Sequence, residues 1–247
     1  MSQGLVVLGA TSKIAQEVAR LAAKEGRELL LVARSSERLD AVAGDLLARG
    51  AGRVETLAAD LAETSKHEAL WAQIEQHMPD MGEVLLAYGT LGDQARAEES
   101  VEYMLHELNT NFSSAVSLLS YAAATLEHKK RGVLAVITSV AGDRARRSNY
   151  VYGTAKGALT LFAQGLRAKL FASGVRVLTI KPGPVDTPMT AGLKMGPLSA
   201  SPKSVAEKIY REMEEGTAEV IYVPGYWRGI MAVVRAIPEG VGKKLKF

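Results

Sequence analysis

Short apolar runs alternate with segments of helical apolar spacing along the whole chain. The first run, 5–8, ends at Gly9, and the next segment, 14–22, repeats its apolar residues at helical intervals before Gly26. The other apolar runs are 28–33, one that ends at 60–61, 84–87, 133–137, 175–180 and 219–223. Parallel strands need a long crossover between them, which a helix provides. The pattern therefore predicts an α/β fold, a doubly wound seven-stranded parallel sheet with helices on both faces.

Length and charge indicate one domain without a nucleic-acid partner. At 247 residues the chain can bury one α/β core, and no linker or internal repeat divides it. We predict a single domain over 1–247, with 224–247 as an apolar and basic C-terminal tail. The tail holds five basic residues and one acidic residue, which accounts for the whole formal net charge of +3. The rest of the chain therefore has no general basic surface.

The sequence also bears on the cellular compartment. No cysteine is present, and the N-terminus runs into an apolar strand without a basic region before it. No apolar run approaches the ~20 residues that a membrane-spanning helix needs. We therefore predict neither a signal peptide nor a spanning helix, and we expect a cytoplasmic location.

Tyr152 and Lys156 are spaced so that a phenol and a cation can act together in proton transfer. Residues four apart lie on one face of a helix, so the phenol and the ammonium are expected side by side, where the cation lowers the tyrosine pKa. Ser139 follows the run 133–137, at the carboxyl end of a strand, where open α/β sheets bind ligands. A solvated helix face is the alternative, but the small and apolar residues of this helix favour a buried lysine.

The order and separation of Ser139, Tyr152 and Lys156 resemble the catalytic group of the short-chain dehydrogenase/reductase family. The resemblance implies a Rossmann-type dinucleotide-binding and catalytic domain that transfers a hydride between a nicotinamide and a carbonyl or alcohol substrate. Tyr152 would protonate the alkoxide, Ser139 would position the carbonyl, and Lys156 would tune the tyrosine and hold the ribose. A non-catalytic dinucleotide-binding redox sensor or partner subunit on the same fold stays open as the alternative.

The first strand-to-helix turn and the end of the second strand support a cofactor prediction. A helix N-terminus after such a turn suits a pyrophosphate. The turn resembles the family's T-G-x-x-x-G-x-G, although Lys13 and Ala15 occupy two glycine positions. Arg34 follows Ala33, and by resemblance this implies NADP(H) rather than NAD, unless Arg34 is merely an exposed strand-end residue. The predicted cofactor contacts of this region are Gly9, Thr11, Ser12, Lys13, Ile14 and Arg34.

The residues that follow two further predicted strands resemble segments that contact the cofactor in the family. Asp60 and Leu61 stand where the family holds the adenine. Ala87, Tyr88 and Gly89 occupy the last three positions of the family's N-N-A-G motif, and only Gly89 matches it. Tyr88 is predicted either to wall the cofactor or to pack under the sheet.

The segment from about 98 to 127 is predicted to be one long helix, because no proline or glycine interrupts it. Within it, Thr110-Asn111-Phe112 resembles the family's V-N-x, whose asparagine holds a water in the proton relay behind the lysine. We therefore predict Asn111 as a catalytic residue. A structural asparagine is the alternative, and Asn109 is a rival candidate.

Residues 181–187 resemble the family's N-P-G-x-V-x-T, with Lys181 in place of the asparagine. The resemblance implies that the nicotinamide half of the cofactor is held by Pro182, Gly183, Val185 and Thr187. Residues 188–200, rich in glycine, proline, methionine and serine, are predicted to form a mobile substrate lid.

The histidines show no spacing typical of a metal site, so we predict none. All four are expected on helix surfaces: His67, His77, His106 and His128.

Two basic regions suggest the substrate class. Arg144, Arg146 and Arg147 lie between Ser139 and Tyr152, and they would either clamp an anionic substrate group or form a solvated loop. In the tail, an apolar stripe with flanking basic residues predicts either peripheral membrane contact and a lipid-linked substrate, or a cover over the pocket or a neighbouring subunit. The tail resembles the family's branch of decaprenylphosphoryl-ribose reductases. The stripe consists of Trp227, Ile230, Met231, Val234 and Ile237, followed by Lys243, Lys244 and Lys246.

We also expect the protein to form a homo-oligomer, either a dimer or a tetramer.

Overall fold

The computed structural model describes residues 4–192 and 196–244. All of its strand pairs are parallel, in the order β3-β2-β1-β4-β5-β6-β7. The strands are β1 (Gly4–Leu8), β2 (Glu28–Ala33), β3 (Arg53–Ala58), β4 (Met81–Leu86), β5 (Gly132–Ile137), β6 (Val175–Pro182) and β7 (Val220–Val223). The predicted seven-stranded parallel sheet is confirmed. The chain order reverses between β1 and β4, which opens a crevice at their carboxyl ends.

Helices connect the strands throughout. They are α1 (Lys13–Lys24), α2 (Ser36–Ala48), α3 (His67–His77), α4 (Gln94–Glu99), α5 (Val101–Leu108), α6 (Ser114–Lys129), α7 (Tyr150–Leu170), α8 (Pro202–Glu214), α9 (Trp227–Ala236) and α10 (Glu239–Gly242). The Ser201 hydroxyl accepts a hydrogen bond from the Ser204 N–H at 3.2 Å, so α8 begins with the serine cap and first-turn proline that are typical of helix starts.

Helices cover both faces of the sheet. The side chains of β1 alternate, so that Leu5 and Val7 lie in the core cluster that includes residues of α1, α2 and α8, while Val6 and Leu8 lie in the cluster that includes residues of α3, α6 and α7. A sheet buried on both faces needs continuous apolar strands, which is why the runs in the sequence predicted it so well.

The predicted long helix 98–127 is wrong in two places. Ser100 has extended backbone and ends α4, and its hydroxyl then caps α5 by accepting from the Tyr103 N–H at 3.2 Å. Between α5 and α6, Asn109–Ser113 forms a π-helical turn. Such turns interrupt a helix without a proline or glycine and often mark functional sites, so the sequence pattern did not show it.

The surface prediction for the histidines is wrong for His67. Its ring is buried between α3 and α6, where one nitrogen pairs with the Ser117 hydroxyl at 2.9 Å and the other with the Leu61 carbonyl at 3.1 Å. Burial lowers the pKa of His67, which favours the neutral imidazole that can make both hydrogen bonds.

The C-terminal tail packs on the domain. Trp227 and Met231 are buried against Val140, and the Arg144 guanidinium donates to the Ile237 carbonyl at 2.9 Å. The apolar stripe therefore faces the protein. Lys246 lies outside the described residues. In the part of the chain that the structure describes, no helix has both the length and the apolar composition to cross a bilayer.

Candidate active site

The carboxyl ends of the strands form one cavity of about 460 Å³. Leu8 pairs with Val32 on one side and Leu86 on the other, so the residues that follow these three strands meet at one level. The cavity is lined by every residue that the sequence predicted for the site except Asn111: Gly9, Thr11, Ser12, Lys13, Ile14, Arg34, Asp60, Leu61, Ala87, Tyr88, Gly89, Ser139, Tyr152, Lys156, Pro182, Gly183, Val185 and Thr187.

The turn after β1 fits a bound anion despite its missing glycines. Gly9 has φ +90°, and a side chain there would collide with Tyr88. The next residues lead into α1, whose cap residue Ser12 makes no side-chain cap, whereas Ser35, Asp93 and Ser201 cap their helices. The first N–H groups of α1 are therefore left for another acceptor beside the cavity.

Basic side chains gather at the same end of the cavity. Lys13 and Arg34 were predicted there, and the structure adds Arg38, which the sequence interpretation missed. Arg38 lies in the first turn of α2, where the Ser35 cap fixes its backbone through a 3.3 Å hydrogen bond. Its position one turn after Arg34 is the signal that was available in the sequence. Three cations at this end suit an anionic group such as a phosphate.

Two glycines bring Ser139 to Tyr152. The turn that follows β5 packs directly on α7, and a side chain at Gly153 would meet the Ala141 carbonyl at 2.9 Å. A side chain at Gly157 would likewise meet the Gly142 carbonyl at 2.9 Å. This close approach places the Ser139 hydroxyl near enough to the Tyr152 phenol to lower its pKa. The nearness of Ser139 to Tyr152 is thus a consequence of small residues on the facing side of α7.

Burial dominates the titration of the tyrosine and the lysine. Burial raises the pKa of Tyr152, and the hydrogen bond from Ser139 lowers it only in part. Burial also lowers the pKa of Lys156 to about 8. The Lys156 ammonium lies 5.8 Å from the centroid of the Tyr152 ring. The predicted lowering of the tyrosine pKa is therefore wrong for the protein alone, because desolvation outweighs the cation at this distance.

Asn111 lies behind the cavity wall rather than in it. Gly89 has φ +154°, and the position that a Cβ would take there is 2.6 Å from Asn111 Oδ1 and 3.1 Å from Lys156 Nζ. Both atoms therefore lie beside Gly89. The rival Asn109 points elsewhere, since its amide donates to the Ala62 carbonyl at 2.9 Å.

Tyr88 lies both in the cavity wall and in the core. It lines the cavity, and its ring also packs in the core on the α6 side of the sheet. Its hydroxyl pairs with the Ser114 hydroxyl at 2.9 Å, and burial raises its pKa well above the usual range. Tyr88 is therefore a neutral wall residue.

Lys181, the departure from the family's N-P-G motif, has a buried partner. Its side chain is 7% exposed and pairs with Asp143, which is 4% exposed. The second Asp143 oxygen accepts a hydrogen bond from the Tyr222 hydroxyl at 2.6 Å. The ion pair ties the turn that carries Ser139 to the end of β6, next to Pro182 and Gly183.

The three arginines of the loop before α7 have different positions. Arg144 binds the tail, through the Ile237 carbonyl and Glu239. Arg146 is half-buried and lines the cavity, and burial lowers its pKa. Arg147 is exposed. Of the three arginines in the predicted clamp, only Arg146 therefore lines the cavity. Asn149 also lines the cavity, and its buried Oδ1 has no hydrogen-bond partner among the described residues.

Part of the predicted lid 188–200 is described. Pro188–Thr190 forms a short 3-10 turn that lines the cavity, and Ala200 bridges to Val185. Residues 193–195 lie outside the described part of the chain. The mobility of this segment stays a prediction.

Comparison with known proteins gives a consistent picture. A family profile described as short chain dehydrogenase matches residues 3–196. An uncharacterized oxidoreductase of Mycobacterium tuberculosis is 38% identical over 241 residues, which cover 98% of this chain and 96% of the relative. The 3-oxoacyl-[acyl-carrier-protein] reductase of Bos taurus is 30% identical over 193 residues, covering 78% of this chain and 80% of the relative. Among solved structures, a short-chain dehydrogenase from Sphingobium yanoikuyae in complex with NADPH has a TM-score of 0.83 at 22% identity, covering 96% of this chain and 97% of its own.

Proposed function

The chain belongs to the short-chain dehydrogenase family and is an NAD(P)-dependent oxidoreductase, and on that premise we propose that it reduces a carbonyl substrate with NADPH through Ser139, Tyr152 and Lys156. The observation that carries the proposal is the meeting of these three side chains on the wall of one cavity.

Each of the three side chains has a distinct part in the reaction. NADPH, when bound, supplies a hydride from C4 of its nicotinamide to the carbonyl carbon. Ser139 donates a hydrogen bond that positions the carbonyl oxygen, and Tyr152 gives its proton to that oxygen as negative charge develops there. Burial keeps Tyr152 protonated before the step, which suits an acid. Lys156 holds the ribose, and Asn111 connects Lys156 to solvent through water.

The simplest test measures NADPH oxidation with a panel of aldehydes and ketones, half of which carry a phosphate or carboxylate. We expect absorbance loss with some members of the panel and none without a carbonyl compound. NADPH binding without oxidation by any panel member would favour the non-catalytic alternative, a redox sensor or a partner subunit.

The basic end of the cavity supports NADP(H) as the cofactor. A charge-assisted contact to the 2′-phosphate is worth about 1.5–3 kcal/mol. We therefore expect Arg34→Asp to weaken NADPH binding by more than about tenfold and to leave NADH binding within about twofold. Fluorescence titration with both cofactors measures this. Arg131→Asp, a charge reversal at an exposed site outside the cavity, is the matched control. Equal affinity of the native protein for both cofactors would contradict the proposal.

Arg146 supports an anionic substrate group. Because its guanidinium is half-buried at the cavity wall, its hydrogen bonds to a carboxylate or phosphate are strengthened by the low surrounding polarity. We expect Arg146→Ala to raise the KM for charged carbonyl compounds by about tenfold and to leave the KM for neutral ones nearly unchanged. The exposed Arg147→Ala is the control. An equal change in KM for both substrate classes would show that Arg146 acts on the fold instead.

The remaining predictions concern the surroundings of the enzyme. We propose a homo-oligomer in the cytoplasm, and we keep the lipid-linked substrate and peripheral membrane contact as a second possibility. The buried positions of Trp227 and Met231 support the alternative, in which the tail covers the protein. Trp227 lies directly on Gly183, a residue of the cavity wall, so the tail backs the site.

A further inference from the structure

Asn109, the first residue of the π-helical turn, contacts a part of the cavity wall that the mechanism above does not use. Its amide nitrogen donates to the Ala62 carbonyl at 2.9 Å. Ala62 belongs to residues 60–62, the wall segment, which come after β3 and all line the cavity. Asn109 itself is not among the described residues that line the cavity. It therefore acts on a bound molecule through the wall segment.

A second side chain holds the same segment. His67, the first residue of α3, pairs through Nε2 with the Leu61 carbonyl at 3.1 Å, and because a carbonyl oxygen can only accept, Nε2 donates. The Thr64 N–H also donates to the Ala62 carbonyl at 3.1 Å, but this hydrogen bond joins residues of one turn. A local bond of this kind fixes the shape of the turn, whereas Asn109 and His67 fix its place in the wall.

The wall segment lies at the basic end of the cavity. In the sheet β3 pairs with β2, and the Ala59 N–H donates to the Ala33 carbonyl at 2.9 Å. Arg34 follows Ala33 directly, so Arg34 and the wall segment leave the sheet side by side. Ser139 follows β5, which is four positions from β3 in the sheet order, or roughly 19 Å at the usual spacing of strands. The wall segment is therefore remote from the reacting groups.

We propose that Asn109 is a positioning residue for cofactor binding, which holds the wall segment in place to receive the adenosine half of the cofactor. The inference rests on the proposed function in that the cavity takes a nicotinamide dinucleotide. Without the hydrogen bond from Asn109, the wall segment samples other positions, and the cofactor must order it again on binding, which lowers the affinity. The bound cofactor restores the wall, so the chemistry at the other end of the cavity is unchanged.

Asn109→Leu tests the proposal, because leucine keeps the approximate size of the side chain and removes the donor. We expect the Kd for NADPH, measured by fluorescence titration without any substrate, to rise about three- to tenfold, the worth of one hydrogen bond. The Kd for NADH should rise by the same factor, since both cofactors carry adenosine. This result would separate Asn109 from Arg34, whose substitution is expected to affect NADPH alone.

Asn109→Asp is the second variant, and it serves where the leucine variant does not fold. It keeps the shape of the side chain and replaces the donor with an oxygen that can only accept, which then faces the Ala62 carbonyl. Both cofactors should bind more weakly to this variant than to Asn109→Leu.

The kinetic readout separates positioning from damage to the active site. With a carbonyl compound that the native enzyme reduces, Asn109→Leu should raise the KM for NADPH and leave kcat at saturating NADPH within about twofold. Asn111, two residues away, keeps both of its backbone partners in the variant, because its amide donates to the Glu107 carbonyl at 3.0 Å and accepts from the Thr90 N–H at 3.1 Å. A fall in kcat without a change in the cofactor Kd would overturn the proposal.

Thr125→Val is the matched control. The Thr125 hydroxyl accepts from Trp71 Nε1 at 2.9 Å, so it ties α3 to α6, just as Asn109 ties the segment before α3 to the turn before α6. Neither Thr125 nor Trp71 is among the described residues that line the cavity. Thr125→Val should lower the free energy of unfolding and leave the Kd for both cofactors unchanged.

The outcomes are distinct. An unchanged cofactor Kd in Asn109→Leu and Asn109→Asp, or an equal rise in Thr125→Val, would overturn the proposal. Weaker cofactor binding by the Asn109 variants of a protein that reduces no carbonyl compound would instead overturn the proposed function and keep the role of Asn109.

Discussion

Tyr152→Phe is expected to lower the turnover of NADPH-dependent carbonyl reduction by about 100- to 10,000-fold, the range that a positioned general acid contributes. Phenylalanine keeps the half-buried ring on α7 and removes only the hydroxyl. Stopped or steady-state assays of NADPH oxidation measure the loss, and fluorescence titration should show NADPH affinity within about threefold of the native value.

Tyr150→Phe is the matched control for this result. Tyr150 lies two residues earlier, at the first position of α7, and is 41% exposed. Tyr150 is not among the residues that line the cavity, so the control variant should retain its turnover. Loss of turnover in Tyr150→Phe with retention in Tyr152→Phe would contradict the assignment of the acid.

Lys156→Met is expected to make the protein without cofactor more stable and to abolish its activity. Lys156 is 3% exposed, and burial lowers its pKa from the ordinary 10.5 to about 8. Each pKa unit corresponds to about 1.4 kcal/mol, so the buried ammonium costs the fold about 3 kcal/mol when it is charged. Methionine fills the same space without that cost. Active sites often retain groups that lower the stability of the fold because activity requires them.

The pH dependence of this effect has a definite sign. Because the folded pKa lies below the unfolded one, the unfolded chain binds more protons between about 8 and 10.5. The native protein therefore gains stability relative to Lys156→Met as the pH rises through this window, and the full penalty is present below it. Urea unfolding at several pH values measures the difference in the free energy of unfolding.

Lys169→Met is the control, since Lys169 lies on the same helix with its side chain 56% exposed. It should change the free energy of unfolding by less than about 1 kcal/mol at every pH. A Lys156→Met protein that is less stable than the native one near neutral pH would contradict the stated cost of burying this lysine.

Much of the fold was predictable because its signals are local. Each strand buried on both faces has a continuous apolar run, and each run is followed by a helix with one apolar face, so the parallel sheet follows from the pattern alone. The same locality explains why Ser139, Tyr152 and Lys156 were found. All three lie on one strand-turn-helix unit, and Gly153 and Gly157 set the close packing within it.

The features that the sequence did not show depend on contacts between distant segments. The sequence shows Lys181 only as a replacement of the motif's asparagine, because its partners Asp143 and Tyr222 are distant along the chain. The pKa of Tyr152 was predicted in the wrong direction because the charge of a neighbour is visible in a sequence and desolvation is not.

Transfer of deuterium from NADPH labelled at both C4 positions tests the central claim most directly. The native enzyme is incubated with the carbonyl panel, and the products are analysed by mass spectrometry. We predict that at least one product gains a single deuterium on the former carbonyl carbon, and that Tyr152→Phe forms this product at a rate reduced by about 100-fold or more. NADPH binding without label in any product, in the native enzyme as in the variant, would contradict the assignment of Ser139, Tyr152 and Lys156 as a catalytic group.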